Sequence, residues 1–285
     1  MATTTLSASD RLPLTCTRLG TCCHGKQIWL NPWEIARLAA TRGETAAAFR
    51  RRDTVDGGIR LRCNGPAGWE NLPACSQYDP ARGCTVHTGR PLACRLYPLG
   101  RERRGSVVTY VHEGRDFPCL AGCPGVRDLP QVQVGDYLAG QDVAAGEAVQ
   151  DAYLDVVEDL GEGAFVVLFD SGLAASGDTR TLAGWQQVVS LPPGLRAQRI
   201  GQPWLDRLLI PTGDAADPLV FVAAHRAALQ SQAQAEFANA PDATMLAEAS
   251  ITLFAMALHL AQSLGADVDT LAARWLASAR EHGAA

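Results

Sequence analysis

An α+β fold is predicted for this 285-residue chain: a small, irregular, cysteine-rich metal-binding domain over residues 1–130, then a mainly helical domain over residues 131–285. Three observations predict it. All nine cysteines fall between Cys16 and Cys123, and residues 124–285 contain none. The stretch Cys75–Leu99 sets Cys75, Cys84 and Cys94 among Pro80, Gly83, Gly89 and Pro91. That is a turn-and-loop composition with little apolar area, so a metal or metal cluster is the expected means of holding it. From Asp136 onward, apolar residues recur at helical spacing.

Composition bounds the function classes. With 47% apolar and 19% charged residues the chain can bury a sizeable core. A formal net charge of −5 and a pI near 5.7 argue against nucleic acid as partner, because neutralising phosphates needs a basic surface. Lys26 is the one lysine beside 24 arginines, which reads as coding bias. The start MATTTLSASDRLPLTC lacks the charged lead and apolar run of a secretory signal. A cytoplasmic location is therefore expected, where cysteines serve as metal ligands or redox thiols more often than as disulfides.

The elements follow in order. Residues 1–14 read as a lead-in. Cys16, Cys22 and Cys23 then stand at C-x5-C-C spacing, with Gly20 and Gly25 freeing the backbone to curl around an ion. Adjacent residues usually point apart, so Cys22 and Cys23 are awkward as equal ligands; one of them serves a second metal, bridges, or stays a reactive thiol. Gln27–Leu30 is extended. Asn31-Pro32-Trp33-Glu34 announces a helix to about Arg42, with Asn31 as N-cap, Pro32 first and Glu34 at the third position. Glu44–Arg52 is a second helix, Ile59–Cys63 and Ser106–His112 are strands, and Cys119-x3-Cys123-Pro124 closes the domain.

In the second half Tyr137, Leu138, Val143, Val149, Tyr153 and Val157 mark a helical stretch. Periodicity leaves Ala164–Phe169 open between a strand and a helix. Ser171–Pro218 is rich in glycine and proline, with Trp185 and Trp204 as core anchors. Leu219–Ala238, Ala243–Leu264 and Val268–Glu281 are helices. Thr244–Leu264 has the length of a membrane span, but Glu248, His259 and Gln262 within it favour the centre of a soluble bundle, with His259 a satisfied core histidine.

The run C75-x8-C84-x2-H87-x2-R90-P91-x2-C94-R95-x2-P98 resembles the cysteine-cluster family of zinc- or iron-chelating domains (the YkgJ type), of which the flagellin lysine N-methylases carry a version. CTRLGTCCHGKQIWLNPWEIARL is similar to that family's opening group. The family usually reads C-x2-C-x2-C-C there, and Leu19 stands where its second cysteine would be, so a ligand is either missing or comes from elsewhere, with Cys63, Cys119 and Cys123 the available substitutes. The methylase resemblance implies S-adenosylmethionine and a protein or peptide substrate, although the sequence offers no binding motif for the former.

Thiolates select zinc, copper(I) or iron–sulfur over hard cations. Nine cysteines exceed one zinc site, and wide spacing suits a bulky cluster. An iron–sulfur cluster of the [4Fe–4S] type is therefore expected, with zinc as the alternative. The candidate ligands are Cys16, Cys22, Cys23, Cys63, Cys75, Cys84, Cys94, Cys119 and Cys123. Arg90 and Arg95, with Arg18, would offset the cluster's negative charge. His24 and His87 are the non-thiolate candidates, and Asp79 reads first as a turn residue. Two functions remain open: a redox or protein-modifying enzyme, or a binding module whose metal is structural.

Overall fold

The computed structural model describes residues 4–14, 20–112, 130–237 and 242–285. It has the expected α+β character, a strand-rich region followed by helices. Two compact units are interleaved along the sequence. One is Met1–Ile28 with Leu61–Glu147, and the other is Trp29–Arg60 with Ala148–Ala285. The end of the cysteines suggests a boundary near residue 130; contacts divide the chain differently, for a reason that lies in the apolar residues. Val134 and Tyr137 pack with Leu14 and Leu99, and Val143 packs with Leu92 and Leu96. The cysteine unit thus draws part of its small core from beyond residue 130.

The cysteine unit is built from short antiparallel pairs. The largest is a three-stranded sheet with Val107–His112 between Thr4–Leu6 and Gly100–Arg104. Val132–Gln133 pairs with Arg11–Leu12. Cys63–Ala67 pairs with Pro73–Cys75, and Tyr78–Asp79 with Gly83–Cys84. The extended stretch read over Ile59–Cys63 is in fact two strands, Arg60–Leu61 and the start of Cys63–Ala67.

In the helical unit the first two helices form as their termini dictate. Asn31 accepts a hydrogen bond from the Glu34 amide while the Glu34 carboxylate accepts from the Asn31 amide, a complete capping box for Pro32–Thr41. Thr45 caps Ala46–Asp53. Ala164–Phe169 is helix, inside the 27-residue Ala144–Asp170. The glycine- and proline-rich stretch also holds three helices that its composition hides: Arg180–Ser190, Pro193–Ile200 and Gln202–Leu209. Pro193 and Pro203 sit in first turns, where a missing N–H costs nothing, so they start helices rather than break them. Pro218–Phe237, Ala243–Ser263 and Val268–Glu281 match expectation.

Ala243–Ser263 is long and apolar enough to cross a membrane by length and composition, yet most of it is buried within this unit. Around it Trp185 stacks on Phe254 at 4.4 Å, and Trp275 meets Phe254 edge-on at 5.8 Å. Trp204 is buried as well. His259 is fully buried, as expected, and the Gly57 backbone is its hydrogen-bonding neighbour.

Candidate metal centre

The amino-terminal thiols are carried by a tight loop. Gly20 (φ 76°) and Gly25 (φ 65°) bracket a single 3-10 turn over Thr21–Cys23. Gly20 is also required by space, because a Cβ there would lie 2.2 Å from the Tyr78 ring. His24 Nδ1 donates to the Gly20 carbonyl at 2.9 Å, and its ring meets Tyr78 edge-on at 5.1 Å. The other ring nitrogen faces Gly68, where any Cβ would stand 2.3 Å away. His24 also bridges to Ala74, and the Gly25 amide donates to the Pro73 carbonyl. The loop is thereby docked on the strand that ends at Cys75.

Cys84 arrives at the end of the Tyr78–Cys84 hairpin, in register opposite Tyr78. Asp79 makes the turn, as its sequence context suggests, by accepting from the Ala81 and Arg82 amides. Cys94 lies in the short helix Leu92–Leu96.

Four sulfurs share one electrostatic neighbourhood. The Cys23 thiol donates to Cys22, and this hydrogen bond is the main reason the Cys22 pKa falls to about 7; burial opposes the shift, and Lys26 and Arg90 assist it. Cys23 is pushed well up by that same hydrogen bond, by burial, and by the negative charge of Cys22, Cys94 and Cys84. Cys22 and Cys23, which extended backbone would point apart, here belong to one tight turn.

Cys63 and Cys75 face each other across an antiparallel strand pair. The Cys63 thiol donates to the Lys26 carbonyl at 3.3 Å, and the Gln77 amide donates to Cys75 Sγ at 3.4 Å. Cys16, Cys119 and Cys123 lie outside the described residues, as does Arg18. Among the described residues, no three His, Cys, Asp or Glu side chains are grouped tightly enough to hold a metal ion.

The two arginines beside the thiols have different positions. Arg90 is close enough to Cys22 to favour its thiolate, while its guanidinium donates to the His87 carbonyl and Gln141 Oε1. Arg95 is a clamp: Nε donates to the Arg90 carbonyl, Nη1 to that of Gln141 and Nη2 to that of Thr88, at 2.6–2.9 Å. Arg95 thus ties the His87–Arg90 turn to the turn at Gln141. The residue that sequence reasoning missed is Lys26. Its charge favours the Cys22 thiolate, its ammonium lies 3.7 Å from the centre of the Tyr97 ring, and its carbonyl receives Cys63. Its standing as the chain's sole lysine was the available signal.

A cavity of about 270 Å³ adjoins this loop, lined by Thr21, His24, Gly68, Trp69, Tyr78 and neighbouring small residues.

Residues 15–111 match a zinc- or iron-chelating family. The model is described as "CxxCxxCC: Putative zinc- or iron-chelating domain" and covers about a third of the chain. Its span runs from Cys16 through Cys94 and ends before Cys119 and Cys123. Neither the curated proteins nor the solved structures contain a match. The donor types suit such an ion, although the described side chains do not converge on one point: the matched region supplies thiols, the soft donors that zinc and iron prefer, beside Lys26 and Arg90.

Proposed function

We propose that the chelating region holds an iron–sulfur cluster of the [4Fe–4S] type, and that Cys22, Cys23, Cys84 and Cys94 are its core ligands. The observation that carries this reading is the shared neighbourhood of those four sulfurs with Lys26 and Arg90. After the Cys22 hydrogen bond and burial, the charge of Cys22, Cys94 and Cys84 adds to the upward push on Cys23, and a metal cluster relieves such repulsion. Zinc would satisfy the same donors. The number of cysteines, nine, exceeds what one zinc site needs and favours the cluster.

When bound, such a cluster supplies electron transfer at a potential set by nearby charge and hydrogen bonding. The protein's part is positional. Lys26 and Arg90 supply positive charge at Cys22, the Arg95 clamp ties the turn that carries Arg90, and the Gly20–His24–Tyr78 contacts fix the loop. We place this chemistry in a reducing, cytoplasmic setting, acting on a protein or peptide rather than on nucleic acid. The net charge of −5 and the family likeness support that placement.

The test is metal and sulfide analysis of the full chain purified without oxygen, with its visible spectrum. Brown protein with about four iron and four acid-labile sulfide per chain is expected. Cys84→Ala should lose both. Colourless protein with stoichiometric zinc and no sulfide would replace this reading with a structural zinc module. Unchanged metal in Cys84→Ala would remove Cys84 from the ligand set.

A further inference from the structure

We infer that Cys63 and Cys75 form a redox-active dithiol, a site that takes low-molecular-weight disulfides as substrate and closes into an intramolecular disulfide. The inference stands whether or not a metal occupies the four-thiol group, because it rests on strand register alone. Cys63 and Cys75 are Cα partners in the antiparallel pair Cys63–Ala67/Pro73–Cys75. The Ser76 amide donates to the Arg62 carbonyl at 2.8 Å, which makes Arg62 and Ser76 a hydrogen-bonded pair of that ladder. Pair types alternate along an antiparallel ladder, so Cys63 and Cys75 form a non-hydrogen-bonded pair. In such pairs the Cα atoms lie about 4.5 Å apart and the side chains approach most closely. That separation falls within the roughly 4.4–6.8 Å that a disulfide spans. Directly opposed residues also share one face of the sheet. The two sulfurs therefore need only side-chain rotation to meet.

The hydrogen bonds assign unequal roles. The Gln77 amide donates to Cys75 Sγ, so that sulfur is an acceptor. The Cys63 thiol is a donor, to the Lys26 carbonyl. Both cysteines are half-buried, within reach of a small reagent. In the first step the Cys75 thiolate attacks one sulfur of a disulfide RSSR; the S–S bond breaks, one RS⁻ leaves, and a mixed disulfide forms on Cys75. In the second, Cys63 gives up its proton and attacks Cys75 Sγ, releasing the second RS⁻. The two electrons and two protons of the dithiol end on two RSH molecules, and the protein is left with the Cys63–Cys75 bond.

The experiment treats the full chain with oxidised glutathione, followed by alkylation and peptide mapping. The expected result is a cross-linked Cys63–Cys75 peptide as the dominant oxidised species, with a loss of two titratable thiols. Cys63→Ser should instead accumulate glutathione on Cys75. Cys75→Ser should leave Cys63 at least tenfold less modified than Cys75 is in the Cys63→Ser protein. Absence of the cross-link while other thiols oxidise would overturn the inference. So would loss of bound metal in both serine variants with helical content intact, because the pair would then be metal ligands. Metal analysis of Cys84→Ala addresses the four-thiol reading separately, so either idea can fail alone.

Discussion

Lowering the pH from 7 to 5 should remove about 2 kcal/mol of stability through His225 alone. His225 is 2% exposed. Its Nε2 contacts the Arg207 carbonyl at 2.9 Å, and a carbonyl can only accept, so the proton sits on Nε2. Nδ1 is then the acceptor for the Tyr153 hydroxyl at 3.0 Å. The pocket is built for neutral imidazole. Burial brings the pKa down from 6.5 to about 4, against a smaller opposing pull from the Arg207 carbonyl. The unfolded chain takes up a proton near pH 6.5, and the folded chain does so only near pH 4. Stability is therefore full above pH 6.5, falls through the interval, and levels off below pH 4. The whole interval corresponds to about 3.4 kcal/mol, of which about 2 is lost by pH 5. Urea unfolding followed by helical circular dichroism at pH 7 and pH 5 measures this directly, with His225→Gln as comparison. The variant should be weaker at pH 7 but lose about 2 kcal/mol less on acidification. His259 titrates in both proteins and cancels. Equal pH slopes for the two proteins would refute the reasoning.

Two further substitutions test the packing of the helical unit. Gly161→Ala should destabilise by about 1–3 kcal/mol despite alanine's better helix propensity, because the new Cβ would lie 2.6 Å from the Trp275 ring; a rise in urea midpoint would contradict it. His259→Met should destabilise by about 1–3 kcal/mol, since it leaves the Gly57 backbone without the imidazole; burial, Arg196 and Arg50 lower the ring's pKa to about 3 against the hydrogen bond with the Gly57 backbone, and a higher urea midpoint would contradict it.

Local signals in the chain translated directly into structure. The Asn31–Glu34 capping box and the three carboxy-terminal helices depend on neighbours within a turn or on sustained periodicity, and sequence carries both. The helices between Arg180 and Leu209 were obscured because Pro193 and Pro203 look like breakers until their first-turn positions are known. At the site, counting cysteines identified the donors but not their grouping. Cys63 meets Cys75 through strand register, and Cys22 and Cys23 keep company through a single 3-10 turn, neither of which spacing encodes. Arg95 stands beside Cys94 in sequence, yet three backbone carbonyls orient its guanidinium.

Interleaving has a consequence for how the chain is made. Trp33, Ile35, Leu38 and Phe49 are buried in the helical unit, and that unit's partners for this stretch include Asp206, which binds Arg50, and the Ala215 carbonyl, which receives the Trp33 indole. During synthesis residues 29–60 emerge long before those partners exist. At ~5–20 residues per second the wait is roughly 8–30 s, and throughout it an apolar stripe has nothing of its own to fold against. Nascent protein is thus most exposed to misassociation while the thiol-bearing segments are leaving the ribosome. The same ordering means that cutting the gene after codon 130 would not separate two foldable halves. It would strip the helical unit of its first two helices and the cysteine unit of Val134, Tyr137 and Val143.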